Sequence, residues 1–426
     1  MNDSYLLKTA NAQKLYFENA IDLPIIDFHN HISIENVSTD RRFENLCELW
    51  IECDPYKHRL MRICGVPEFF ITGDAEPYEK FERYCDIFPL LAGNPVYDWS
   101  RMELAKIFGI NDIPCKANAK RLFNMTREML TSPEYSNNAI LSRFNIEYQS
   151  PVASILDDLS FFDGKSTAPS LRGDELLSPT KELKNKLGTA SGIEITDDAS
   201  YIKAVCIMLD KFHIAGCRFA DHALDDGFFK ADEKQSELLV RLGNEYAKRS
   251  WTLLLHLDAK RNTSSRLRKL AGKAGGYAAV GGSFDISSLC ELLAKMEECG
   301  GLPKTILFPL SMSDQAPLAV LEGSFSEDDI KGKIQLGPAW WWCDHALGIK
   351  NTLDAVASFG VLSEFIGMTT DSRSILSFVR HDYFRRILCN YLDELNTRYE
   401  LEMSIDTMKE ITNKICYKNA LDRVRR

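Results

Sequence analysis

The residues Asp27-Phe28-His29-Asn30-His31 close an apolar run that starts at Leu23 and reads as a β-strand. Side chains alternate between the faces of a strand, so His29 and His31 point the same way. Two imidazoles at the C-terminal end of one strand can share a single metal ion. Among eight histidines, a lone His-x-His is a weak signal. Position strengthens it, because other polar residues fall at corresponding places. Arg172, Asp221-His222, His256, Trp340-Trp341-Trp342 and Asp371 lie in or just after further strand-like runs. In barrel enzymes the C-terminal ends of the strands carry the active site. The pattern predicts a metal-binding site assembled from several strands.

Each of these residues also has a structural reading. His256 sits in Leu253-Leu254-Leu255-His256-Leu257 and would serve as a hydrogen-bonded core histidine. Asp371 or Ser372 suits the N-cap of a following helix, a role compatible with a site role at a strand–helix junction. The tryptophan triplet reads as a pocket wall or an interface. Arg380-His381-Asp382-Tyr383-Phe384-Arg385-Arg386 is most simply an amphipathic helix with a basic face. Residues 272–282 are glycine-rich, but no Gly-Lys-Ser/Thr follows, so an ordinary flexible loop is the better reading.

The elements that must hold these residues follow from periodicity. Strand-like runs cover 23–29, 146–152, 166–171, 217–222, 252–258, 305–311, 333–339 and 364–370. Helical spacing covers 198–215, 231–249, 286–299 and 345–360. Eight strands, most followed by a helix, predict a (β/α)8 TIM barrel of the α/β class. The interval between the first two strands is too long for one crossover. Residues 36–142 therefore read as a helical insertion subdomain after the first strand. The barrel takes 1–35 and 143–426, with a helical C-terminal segment over 374–425.

Composition excludes several classes. The 426 residues carry 51 Lys+Arg against 61 Asp+Glu, a net charge of −10, which argues against nucleic acid as a partner. No apolar stretch reaches the roughly 18 residues of a membrane span, and the N-terminus lacks a signal-peptide core. A cytoplasmic protein with no membrane partner is expected. The 12 cysteines lack a C-x-x-C pair and read as buried, reduced residues.

With these residues in place, the chain resembles the amidohydrolase superfamily of metal-dependent barrels, and within it the uronate isomerase (glucuronate isomerase) family. Asp27-x-His29-x-His31, a helical insertion and Asp371 carry the broader likeness. The narrower one rests on collinear blocks. Early blocks are Asp54-Pro55-Tyr56-Lys57, Ile71-Thr72-Gly73-Asp74-Ala75 and Gly93-Asn94-Pro95-Val96-Tyr97-Asp98-Trp99. Later ones are Ala215-Gly216-Cys217-Arg218, Asp221-His222-Ala223-Leu224-Asp225, Leu302-Pro303-Lys304-Thr305-Ile306-Leu307 and 367–389.

The resemblance implies an aldose–ketose isomerase that interconverts glucuronate with fructuronate, or galacturonate with tagaturonate, through a cis-enediol. It implies His29, His31 and Asp371 as ligands of a divalent metal, zinc or else manganese, which need not be obligatory. It implies Asp371, Tyr56 and His31 as catalytic groups, and Arg172, Arg373, His256, Trp340, Trp341 and Asp221 as substrate contacts. The partners it implies are a small uronate and further copies of the chain, as a homo-oligomer. The sequence also departs from the family. Pro55 stands where most members carry histidine, and Ser150-Pro151-Val152-Ala153-Ser154, Leu254, Arg261-Asn262-Thr263-Ser264 and Cys343-Asp344-His345 replace other usual residues. These changes leave two alternatives open. One is a related isomerase or hydrolase acting on another acidic sugar. The other is a non-catalytic paralogue that binds a sugar acid.

Overall fold

Short apolar runs buried on both faces favour a parallel sheet covered by helices. In the computed structural model, which describes residues 2–231, 233–273 and 275–425, such a sheet forms the centre of the molecule. Its seven strands among the described residues are Ile25–Asn30, Ile146–Ser154, Ser170–Arg172, Phe219–Leu224, Thr252–Leu257, Lys304–Pro309 and Ile334–Leu336. They are called the first to seventh strands below. They pair in chain order, each parallel to the next, and the sheet curls. Every strand's C-terminal end therefore opens on the same side.

The expected strand over 364–370 does not form. This stretch runs beside the first strand without a regular ladder. Gly367 takes a left-handed φ of 87°, and a side chain there would meet the Ile415 carbonyl. That turn interrupts the extended backbone. What remains is two backbone bonds, Asp371 N–H to the His29 carbonyl at 3.1 Å and His31 N–H to the Ser372 carbonyl at 2.9 Å. Side chains supply the rest of the junction. The Asp27 carboxylate, wholly buried, accepts from the Thr369 hydroxyl at 2.8 Å, the Thr370 N–H at 2.7 Å and the Thr370 hydroxyl at 2.8 Å.

The helical readings hold closely: Asp198–Ile214, Glu233–Lys248, Ile286–Cys299 and Ala346–Phe359 cover the outside of the sheet. Between the first and second strands lie helices that include Pro55–Ile63, Pro77–Ile87, Pro95–Phe108 and Ala119–Leu130. Proline at the first turn of three of them costs no hydrogen bond, since those N–H groups are unpaired in any helix. The Asp54 side chain caps the helix Pro55–Ile63 by accepting from the Tyr56 and Lys57 N–H groups, which fixes where Tyr56 leaves the backbone.

Two expectations about the C-terminal part are corrected. Neither Asp371 nor Ser372 caps the next helical turn; Ser374 does, accepting from the Leu376 N–H. The 380–386 segment is no exposed basic face either. Arg380, His381 and Arg385 are buried in the helix Val379–Arg398, because acceptors lie inside. Arg380 meets Asp344, His381 meets Asp27, and Arg385 donates to the Pro24 carbonyl. The cysteines are free thiols, and no helix among the described residues is long and apolar enough to cross a membrane.

Glu322 yields a stability prediction. One of its oxygens accepts from the Leu336 N–H of the seventh strand at 3.0 Å. Burial raises its carboxyl to about 7, against the partial opposition of that bond. The folded chain therefore holds a proton that the unfolded chain releases near pH 4.5, so stability falls as pH rises from there to about 7 and is flat above. Glu322→Gln keeps the acceptor and removes the charge. The variant should be more stable than wild type at pH 8 by about 1–3 kcal/mol, and nearly equal to it at pH 5. Thermal unfolding at both pH values checks this; equal melting temperatures at pH 8 would refute it.

Candidate active site

At the C-terminal ends of the strands lies a cavity of about 480 Å³. All ten residues proposed for the site line it: His29, His31, Tyr56, Arg172, Asp221, His256, Trp340, Trp341, Asp371 and Arg373. Seven segments far apart in sequence contribute them, which is what the parallel order of the strands makes possible.

The floor is built from imidazoles and carboxylates. Asp371 Oδ1 lies 3.0 Å from His31 Nε2 and 3.4 Å from His29 Nε2. Asp221 Oδ1 lies 2.6 Å from His256 Nδ1, and the rings of His29 and His256 are 5.0 Å apart. Two groups of metal-competent donors result, His29–His31–Asp371 and His29–Asp221–His256, with His29 in both. Nδ1 of His29 and Nε2 of His256 are buried and have no hydrogen-bond partner among the described residues. A buried polar atom left unpaired is costly, and a bound cation would engage such nitrogens. Imidazole and carboxylate together suit zinc or a similar divalent ion.

The electrostatics agree with that fit. Burial disfavours charge on His29, but the Asp221 and Asp371 carboxylates outweigh it and raise its pKa. Burial likewise opposes ionisation of Asp371, yet hydrogen bonds from His29 and His31 hold it well below the usual carboxylate range. Asp221 is also lowered, the attraction of His256 and His29 prevailing over burial. On His31 burial prevails and the pKa falls. The floor is thus a field that favours positive charge.

The walls are aromatic and cationic. Trp340 packs edge-on against His256 at 4.5 Å, and Trp341 carries the Arg261 guanidinium at 4.8 Å. The tryptophan triplet is a pocket wall, as one of its readings held. Tyr56 enters from the helices between the first and second strands, its hydroxyl buried and without a partner among the described residues; burial keeps its phenol pKa well above the ordinary value. Arg373 is exposed to the cavity, and Arg172 is partly exposed, 3.6 Å from Asp174. Pro55 and Cys53 line the cavity beside Tyr56, and burial pushes the Cys53 thiol up to about 12.

One neighbour falls elsewhere. His222 points away, 2.9 Å from the Tyr246 hydroxyl, as alternation along the fourth strand requires once Asp221 faces inward. Sequence reasoning missed Asp225, which grips Arg261 with both oxygens at 3.0 Å on the cavity rim. It also missed Asp27 as the residue that ties the two ligand-bearing segments together. Asp27 belonged to the His-x-His motif, and its place two residues before His29, in the same register as both histidines, was the available signal.

A curled parallel sheet with metal-competent donors at its C-terminal edge defines an α/β enzyme with a metal-type site. The glucuronate isomerase family model matches residues 1–237 and 230–423. A uronate isomerase from Caldanaerobacter subterraneus is 36% identical, with 99% of this chain and 98% of that protein covered. A uronate isomerase from Histophilus somni is 35% identical over the same shares. Among solved structures, the uronate isomerase of Thermotoga maritima superposes with a TM-score of 0.90 at 23% identity, covering 99% of both chains. The glucuronate isomerase of Caulobacter crescentus gives 0.89 at 21%, covering 100% of this chain and 97% of that one. The chain belongs to the glucuronate isomerase family.

Because His29 serves both donor groups, it is the residue on which ion binding should depend most. His29→Ala is expected to weaken zinc binding at least about tenfold, and His256→Ala to weaken it less. Metal content after dialysis against a competing chelator measures this. Equal content in wild type and the His29 variant would reject the cluster as a metal site.

Proposed function

We propose that the chain is an isomerase that interconverts an aldo-uronate and the matching keto-uronate: glucuronate with fructuronate, or galacturonate with tagaturonate. The observation that carries this is the convergence of ten candidate residues on one cavity in a chain of this family. The open-chain aldehyde acidifies the C2 proton, and returning a proton to C1 of the cis-enediol completes the isomerisation.

His29, His31 and Asp371 would hold a divalent ion, with His256 beside them, and zinc suits the donor set. When bound, the ion supplies Lewis-acid polarisation of the substrate's oxygens. Asp371, held ionised by its imidazole partners, accepts the proton from C2. Tyr56, held protonated by burial, presents a free hydroxyl that donates to the aldehyde oxygen as C2 loses its proton, and takes back the proton that the C2 hydroxyl gives up as C1 is protonated by Asp371. His31 orients Asp371 through their 3.0 Å contact. Arg373, which makes no ion pair among the described residues, is the readier clamp for the substrate's carboxylate; Arg172 must first loosen its hold on Asp174. Trp340, Trp341 and Asp221 bound the sugar.

Pro55 lines the cavity and offers no proton, which favours a second reading: an isomerase for another acidic sugar. We also infer that 365–371 acts as the eighth stave of a barrel, supported by its bonds to the first strand, and that 36–142 is an insertion. Self-association is part of the reading, supported by the exposed Leu347, Phe359 and Val361. A single-chain mass in light scattering would overturn it.

Incubation with each uronate in deuterated water should place deuterium at C1 or C2, followed by NMR. No exchange with either, with zinc or manganese added, would refute the proposal. Arg373→Lys should lower kcat/KM by about 2–5 kcal/mol equivalent, because lysine lacks the planar fork and the carboxylate loses its pairing. Near-wild-type kinetics in that variant would assign the clamp to another cation.

A further inference from the structure

Arg380 lies outside the cavity lining, yet it touches three of the segments that build the site. Its side chain and that of Asp344 are each 2% exposed and paired at 3.0 Å. The same Nη1 donates to the Thr370 carbonyl at 2.8 Å, one residue before Asp371. The guanidinium plane lies 4.9 Å from the ring centre of Tyr56 and 4.2 Å from that of Trp99. Asp344 follows the tryptophan wall, and its second oxygen has no partner among the described residues. Arg380 is thus what holds that carboxylate.

Tyr56 is fixed by surfaces alone. Trp99 and Trp342 meet its ring edge-on at 5.7 and 5.6 Å, and its hydroxyl is unpaired among the described residues. The guanidinium beneath the ring completes the slot. Asp371 is held in a left-handed conformation, φ 44°, which a non-glycine residue keeps only where its surroundings enforce it. The bond from Arg380 to the preceding carbonyl is part of that enforcement. A planar cation can serve both ends at once, by stacking on a ring and donating from its edge.

We propose that Arg380, anchored by Asp344, is a positioning residue that sets the Tyr56 hydroxyl opposite Asp371 for the proton transfer. The proposal rests on the isomerase reading above. Arg380 touches neither the substrate nor the cavity floor and acts through Tyr56. A fixed cation under the phenol ring also favours negative charge developing on its oxygen, so it strengthens Tyr56 as a donor.

Two variants keep the test clear of misfolding. Arg380→Lys retains a charge facing Asp344 but loses the plane. The paired change Arg380→Met with Asp344→Leu removes both ions, so neither is left buried alone. Both variants should bind zinc as wild type does and keep KM within about threefold, while kcat falls about tenfold in the first and about thirtyfold or more in the second. With Tyr56→Phe already present, the paired change should lower kcat less than about threefold, since residues that act as a unit are not additive. A crystal structure of the paired variant should show the Tyr56 ring displaced. An equal loss of kcat in both backgrounds, a raised KM with unchanged kcat, lost zinc or an unmoved ring would each overturn the proposal. If wild type exchanges neither uronate, the isomerase reading fails, and the ring position still decides whether Arg380 places Tyr56.

Discussion

The Asp27 carboxylate is the interaction on which the site depends. It is fully buried, and burial alone would protonate it. His381, Asn30 and the Thr370 N–H reverse that and lower its pKa. In return the charge fastens 369–370 to the first strand, where a regular strand would have used a backbone ladder. Asp371 then falls against His29 and His31. Without that anchor the two ligand-bearing segments, 340 residues apart in sequence, would keep only the two backbone bonds and the contacts of the Thr369 hydroxyl with the His29 backbone. A buried carboxylate deprived of its partners is costly, so the junction favours a single geometry.

Left-handed backbone accompanies this arrangement. Asp371, Trp341 and Asp258 all have positive φ, at 44°, 46° and 68°, and each follows a strand or strand-like segment at the C-terminal edge. Chains adopt such conformations at non-glycine residues where packing over-determines them. The chain turns sharply at these points, and two of the three, Trp341 and Asp371, line the cavity.

Much of this was legible in the sequence. The alternation in 25–31 placed His29 and His31 together, and their distances to Asp371 agree. The buried apolar runs marked the seven strands, and the long interval after the first marked the helices that bring in Tyr56. What resisted reading depended on tertiary partners. Helical spacing made Arg380 and His381 look like a polar face, because spacing cannot reveal acceptors such as Asp344 and Asp27 waiting inside. The 364–370 run has strand composition, and its irregular backbone follows from Gly367 pressed against the Ile415 carbonyl. Capping rules nominated Asp371 or Ser372, while the turn that follows begins later, at Ser374.

Cys53 gives the cavity a chemical character of its own. Thiolate is the form in which cysteine attacks electrophiles. Burial, reinforced by the Asp54 carboxylate, holds its pKa up at about 12 and disfavours that form. The same protonation makes the cavity a poor target for oxidants and alkylating agents. The cavity thus carries its sulfur in the less reactive form.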